Sequence, residues 1–302
     1  MDIENTIKQV KPNLSSTTLK KYVGFVKKLN KLVTNEDEVK HVSFLDDYDK
    51  VDVVLKTIKP PNRKNYYTVI LILLNDKKDT ELYEKYNKDK MENNLFLKNQ
   101  KEDINVVNSA TQQEKVISIE EYDKLIELTG KDEKYKMDHL IFKILRYYPI
   151  RNEVGSFKMI TLDMFNKHKK YDIKLKDNYL VIGKRKIIMF RTKYKTANKY
   201  GNLENEIVQT DLKKSIRDYI YHFNKGEGQY FFLNSNDALS LRLANTSNKF
   251  IETKLSTSSI FKILLANKKG STKEITDYIT EMSKIRPTDP KTIMQNYVYE
   301  KK

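Results

Sequence analysis

Apolar residues recur at helical spacing through the first hundred positions. Over 14–33 (LSSTTLKKYVGFVKKLNKLV) a Ser/Thr cluster stands before Leu19, Tyr22, Val23, Phe25, Val26 and Leu29, a stripe close to helical period behind an N-cap signal. A second helix is expected over 44–58, ended by Pro60-Pro61, because proline lacks the amide hydrogen that continues a helix. A third is expected over 63–74. The segment 79–98 is polar and helix-prone, with a thin apolar face of Leu82, Tyr83, Tyr86 and Met91. Residues 1–100 therefore read as a small all-helical domain. The stretch 101–115 (KEDINVVNSATQQEK) is polar and weakly periodic, so 101–116 is expected to be an interdomain linker.

Beyond it the pattern changes. The segment 117–128 (ISIEEYDKLIEL) carries Ser118 with Glu121 three residues on, the spacing of a capping box. A strongly apolar helix is expected over 138–148. Over 179–194 (YLVIGKRKIIMFRTKY) β-branched and aromatic residues flank Gly183-Lys184, a pattern of two strands joined by a turn. Further helices are expected over 211–223, 257–266, 273–282 and 289–297. Helices, a small sheet and then more helices make 117–302 an α+β domain.

The chain carries 57 Lys+Arg against 41 Asp+Glu, a formal charge of +16. Such a balance suits a polyanionic partner, of which nucleic acid is the commonest. Only eight of these cations are arginine. Lysine is a flexible point charge and suits phosphate contact better than bidentate reading of bases. A compositional bias toward Lys, Asn, Ile and Tyr accounts for part of the excess, so charge alone selects no partner. The absence of cysteine excludes disulfides, zinc–thiolate sites and thiol catalysis. His41, His139, His168 and His222 have no metal-ligand spacing, so no metal is expected. The longest apolar run, TVILILL at 68–74, is too short to span a bilayer, and no membrane partner is expected.

Three segments carry candidate chemistry: 147–163 (YYPIRNEVGSFKMITLD), 190–201 (FRTKYKTANKYG) and 285–299 (IRPTDPKTIMQNYVY). Their order and local patterns resemble the tyrosine recombinase (phage-type integrase) family. There, a first arginine follows an apolar helix in a pattern like TGLRxxEL, as Arg151 follows Pro149-Ile150 here. The family's hairpin lysine, often written KT, is matched by Lys195-Thr196, with Lys193 as a fallback. Its nucleophile ends a stretch like LGHSDPKTTMxxYxH, matched by 285–297 ending in Tyr297. The RNE form of 151–153 resembles integrases of large DNA viruses and their mobile elements.

The resemblance implies an α+β protein with a small helical (SAM-like) core-binding domain at 1–100, a linker at 101–116 and a catalytic-type domain at 117–302. It implies Arg151, Lys195 and Tyr297 as catalytic groups, double-stranded DNA as partner, and a homo-oligomer assembled on DNA. An intracellular location is expected, wherever that DNA resides: cytoplasm, nucleus, viral factory or virion. The first residues, MDIENTIKQV, carry neither a secretory nor an Arg-rich transit pattern. The chemistry is self-consistent. A phenolate that attacks a phosphodiester needs no metal when cations hold the non-bridging oxygens and an acid protonates the leaving oxygen. With no Gly-rich phosphate loop in the sequence, no nucleotide or other small-molecule cofactor is expected.

The match is incomplete. The family's HxxR helix aligns with 255–265 (LSTSSIFKILL), placing Ser258 at the histidine and Phe261 at the second arginine, while the histidine of LGH becomes Pro287. Losing one preorganised donor to a developing oxyanion costs about 2.7–4 kcal/mol. The expectation is therefore a DNA-binding recombinase-like protein whose strand-transfer activity is weak or lost. Two alternatives stand beside it. One is an active site-specific recombinase using Tyr297, with Arg286 or Lys262 as substitute clamp. The other is a non-enzymatic architectural or virion nucleoprotein.

Overall fold

In the computed structural model, which describes residues 2–104, 117–233 and 236–297, the chain divides into two compact units, Met1–Val107 and Asn108–Lys302. The architecture is α+β, with all the described strands in the second unit.

The first unit is helical: α1 (Ile3–Val10), α2 (Ser16–Thr34), α3 (Tyr48–Thr57), α4 (Pro60–Leu73) and α5 (Glu81–Ile104). The Ser/Thr signal ahead of α2 is realised by Ser15, whose side chain accepts from the Thr18 amide. Pro60-Pro61 ends the preceding helix as expected, and Pro60 also opens α4. A proline in the first helical turn removes an amide that has no intrahelical partner anyway. The TVILILL run fills the C-terminal half of α4 and ends on its C-cap Leu74; this half is buried because α4 packs against α1, α2, α3 and α5. Its residues Val69, Ile70, Leu71, Ile72 and Leu73 are all buried. Helix α5 extends through residue 104, so the first four positions of the expected linker are helical; 105–116 lie outside the described residues. No described helix is long and apolar enough to cross a membrane.

The second unit opens with α6 (Ile119–Gly130) and α7 (Lys136–Tyr147). The capping box is present in both directions: Ser118 accepts from the Glu121 amide, and the Glu121 carboxylate accepts from the Ser118 amide. Replacing this cap, Ser118→Ala, is expected to cost about 1 kcal/mol, read as a lower urea midpoint with unchanged slope.

Strands β1 (Lys158–Thr161), β2 (Tyr179–Ile182), β3 (Ile187–Arg191) and β4 (Leu203–Glu206) form one sheet in that order. β1 and β2 are parallel, with α8 (Leu162–Lys170) between them in sequence; the other pairs are antiparallel. The β2–β3 turn closes through the Gly183 amide on the Lys186 carbonyl, as the Gly183-Lys184 signal predicted. The alternation of β3 sorts its side chains. Ile187 and Met189 enter the main core, while Phe190 and Ile188 face Phe165 of α8 and Val181 on the other side. By the same parity Arg191 points to the main-core side.

A helical turn, α9 (Ala197–Tyr200), sits in the β3–β4 connection and ends at Gly201, whose φ of +68° with ψ of −155° is open to glycine alone. The remaining helices are α10 (Thr210–His222), α11 (Asn236–Ile251), α12 (Thr257–Ala266), α13 (Thr272–Ile285) and α14 (Pro290–Tyr297).

Candidate anion-binding cleft

Four chain segments of the second unit line one cleft of about 490 Å³: 151–153, 193–195, 257–258 and 286–292. The loop after α7 supplies Arg151, the β3–β4 connection Lys193 and Lys195, and α12 its first turn. The corner between α13 and α14 supplies Arg286, Thr288 and Thr292. Arg151, Lys193, Lys195 and Ser258, which are scattered in sequence, therefore share one locus.

Each residue of the RNE triplet has a separate task. The Nη2 of Arg151 donates to Thr288 Oγ1 at 2.6 Å and to the Pro287 carbonyl at 3.3 Å. Its Nη1 is buried and has no hydrogen-bond partner among the described residues. Asn152 donates to Ser240 of α11 and accepts from Thr257 of α12, tying the loop to both helices. Glu153 is buried and faces Arg191, with Nη1 to Oε1 at 3.3 Å. Burial pulls the Arg191 guanidinium below its ordinary pKa, and the Glu153 carboxylate opposes that shift. Arg191 also donates through Nη2 to Asn205 Oδ1 at 2.7 Å and to the Ile285 carbonyl at 2.6 Å. It thereby fixes the end of α13 against the sheet.

The two hairpin lysines differ. Lys193 is held by Asp177, Nζ to Oδ1 at 2.7 Å, and Asp177 also receives Lys158. Hydrogen bonds from Lys158 and then Lys193 hold the Asp177 carboxyl below its usual range. Lys195 is exposed on the cleft and makes no ion pair among the described residues. Beside it, Thr196 donates to the same Pro287 carbonyl that receives Arg151, at 3.1 Å.

The substituted positions do not act alike. Ser258 is exposed on the cleft. Pro287 is buried and contributes its carbonyl oxygen rather than a side-chain donor. Phe261, aligned with the second arginine, is fully buried and absent from the lining, because its ring packs in the core beneath Arg286. The Arg286 guanidinium carbon lies 4.7 Å from the Phe261 ring centroid. Lys262, also offered as a substitute clamp, is absent from the lining as well. The backbone of α14 starts at the cleft, where Thr292 is a lining residue, and ends at Tyr297, whose side chain lies outside the described residues.

Electrostatically the cleft is one-sided. Arg151, Lys193, Lys195 and Arg286 line it with a single carboxylate, Glu153, which Arg191 already engages; Asp177, outside the lining, balances Lys193. Cations gathered on a concave surface raise the local concentration of an anion. Asn152, Glu153, Arg191 and Thr288 lie inside the quoted sequence patterns, but sequence reasoning gave none of them a role of its own. Arg191 left one visible sign, a charge at an inward position of an apolar alternation (IIMFR).

No family model matches the sequence, and no curated protein matches it. Among solved structures, the chain is similar to the crystal structure of XerA recombinase, with a TM-score of 0.40 and 14% identity over 98% of this chain and 93% of that one.

Proposed function

We propose that this chain is a DNA-binding protein of tyrosine-recombinase type that seats a backbone phosphate in the cleft at Arg151. The observation that carries the reading is the cleft's charge: four cationic side chains from three segments line it, one of them, Lys193, held by Asp177, against one carboxylate that Arg191 already engages. Arginine meets a phosphate as a planar two-pronged donor, and an exposed lysine reaches an adjacent oxygen. In the strand-transfer step Tyr297, its phenolic proton lost to solvent, attacks phosphorus through its oxygen; the tyrosine O–P bond forms as the bond to the 5′-oxygen breaks, and that oxygen leaves with a proton from Lys195. Ser258 and Pro287 bring no imidazole to that step, so transfer is slow compared with a fully equipped site. The RNE triplet favours a relative of the integrases of large DNA viruses and their mobile elements, working as an oligomer on duplex DNA. A purely architectural DNA-binding role is the second reading, favoured by Phe261 being committed to the core.

Binding is measured first, as anisotropy of a labelled random-sequence duplex. Affinity is expected to fall with salt at a slope of about −0.9 in log K per phosphate neutralised, and Arg151→Ala with Lys195→Ala should weaken binding and flatten that slope. No binding at low salt would overturn the proposal. Cleavage is read with a pool of nicked duplexes randomised around the nick, scored for detergent-resistant adducts. A slow adduct lost in Tyr297→Phe supports strand transfer. Binding without adduct selects the architectural reading, and an adduct that survives Tyr297→Phe removes Tyr297 from the mechanism.

A further inference from the structure

Resting on the phosphate-cleft reading above, we propose that Arg286 contacts the bound phosphate directly, delivering from the α13–α14 corner the guanidinium that position 261 lacks.

The local geometry begins with helix termination. Arg286 is the C-cap of α13, its φ of −112° and ψ of 72° turning the chain out of the helix while its amide still reaches the Met282 carbonyl. Its side chain runs back onto α12 and lies over the Phe261 ring, where a flat aromatic face attracts a flat cation. One end of the fork is then anchored. Nη1 donates to the carbonyls of Pro149 at 3.0 Å, Ile150 at 3.3 Å and Thr257 at 3.3 Å. The other end, Nη2, donates to Ser258 Oγ at 3.1 Å, and Ser258 is exposed on the cleft. The residue is 2% exposed, and its Nη2 edge borders the cleft lining beside Ser258.

Two consequences point to an anion between the arginines. Two of the three carbonyls that hold Arg286 belong to the residues immediately before Arg151, so one short backbone segment helps to fix both guanidinium groups on the same cleft. Arg151 brings a buried Nη1 without a hydrogen-bond partner among the described residues, and a buried donor left unpaired is costly. Two like charges held on one concave surface repel, and a phosphate between them converts that repulsion into two attractions. Because the orientation of Arg286 is set by three carbonyls and a ring, little reorganisation remains when the phosphate arrives.

A purely structural arginine would tie the same carbonyls without touching a ligand, so the test reads the ligand in the wild-type protein. Labelling arginine with 13C and 15N gives guanidinium signals from only eight residues. The full chain is titrated with inorganic phosphate at low ionic strength, with Arg151→Lys and Arg286→Lys serving to assign the two signals. The Arg151 and Arg286 signals should shift along one saturation curve, while Arg191, enclosed behind Glu153, stays fixed. In Arg286→Lys the phosphate dissociation constant read at Arg151 should rise about tenfold, because an ammonium cannot span the same fork. If Arg151 moves and Arg286 does not, Arg286 is structural and this proposal fails while the cleft reading stands. If neither moves, the phosphate cleft itself is refuted. Should Arg286→Lys not fold, Lys substitutions at the other seven arginines assign the Arg286 signal by elimination, and the wild-type curves then decide alone.

Discussion

Glu153→Gln is expected to destabilise the second unit by about 3 kcal/mol, the lower end of what removing one partner of a buried ion pair costs. The substitution is nearly isosteric, so packing is not the cause. Arg191 is 0% exposed and Glu153 5%, and among the described residues that carboxylate is the one anionic group paired with the guanidinium. Glutamine keeps an acceptor but not the charge, leaving a desolvated cation with neutral neighbours, Asn205 and the Ile285 carbonyl. For a unit of this size the loss corresponds to a fall of roughly 6–12 °C in the thermal midpoint, measured by near-ultraviolet circular dichroism. The effect should spread to the cleft. Arg191 holds the carbonyl of Ile285, the residue before Arg286, so phosphate affinity should fall in the surviving folded protein. A change below about 1 kcal/mol would mean that water reaches the pair.

The sequence displayed what is local and concealed what is tertiary. Helix α12 was legible to the residue because a serine cap stands before an apolar run broken only by Lys262, and the capping box of α6 was legible because both partners lie within one turn. Helix α11 escaped notice. Its sequence NDALSLRLANTSNKFI mixes polar residues into the buried face, where Thr246 and Ser247 lie beside Leu239 and Leu243. Strand β4, LENE, is a four-residue edge strand whose alternation is too short to register. The cleft followed the same division. Arg151, Lys193 and Lys195 stood out because each sits in a recognisable local pattern. Glu153 and Arg191 look like surface charges until the fold places them together, and nothing in the sequence states that Arg286 lies on Phe261.

That last contact reverses what the sequence pattern alone suggests. Phe261→Arg reads as a restoration of the family's second arginine, yet it is expected to destabilise the protein and to weaken phosphate binding at least tenfold. Position 261 is fully buried, and the space over its ring is already filled by a guanidinium whose carbon sits 4.7 Å from the centroid. A second guanidinium there adds repulsion of about 3 kcal/mol at ~5 Å for an effective dielectric near 20, besides the desolvation of a second charge. The incoming side chain also dislodges Arg286 from the carbonyls of Pro149, Ile150 and Thr257, which carry the orientation of the cleft. Adding Arg286→Leu to Phe261→Arg removes one of the two charges and should recover part of the lost stability. The interaction energy from the double-mutant cycle should be favourable by about 1–3 kcal/mol in urea unfolding, the range for residues in contact. Phe261→Leu serves as the packing control, losing the ring while adding no charge, and should cost less than Phe261→Arg. If Phe261→Arg alone folds as stably as the wild type and raises adduct formation, Arg286 does not fill the site and the arginine at 261 is simply missing. If the two substitutions are additive, the guanidinium and the ring are energetically independent, and the stacking that orients Arg286 toward Ser258 contributes nothing to the cleft.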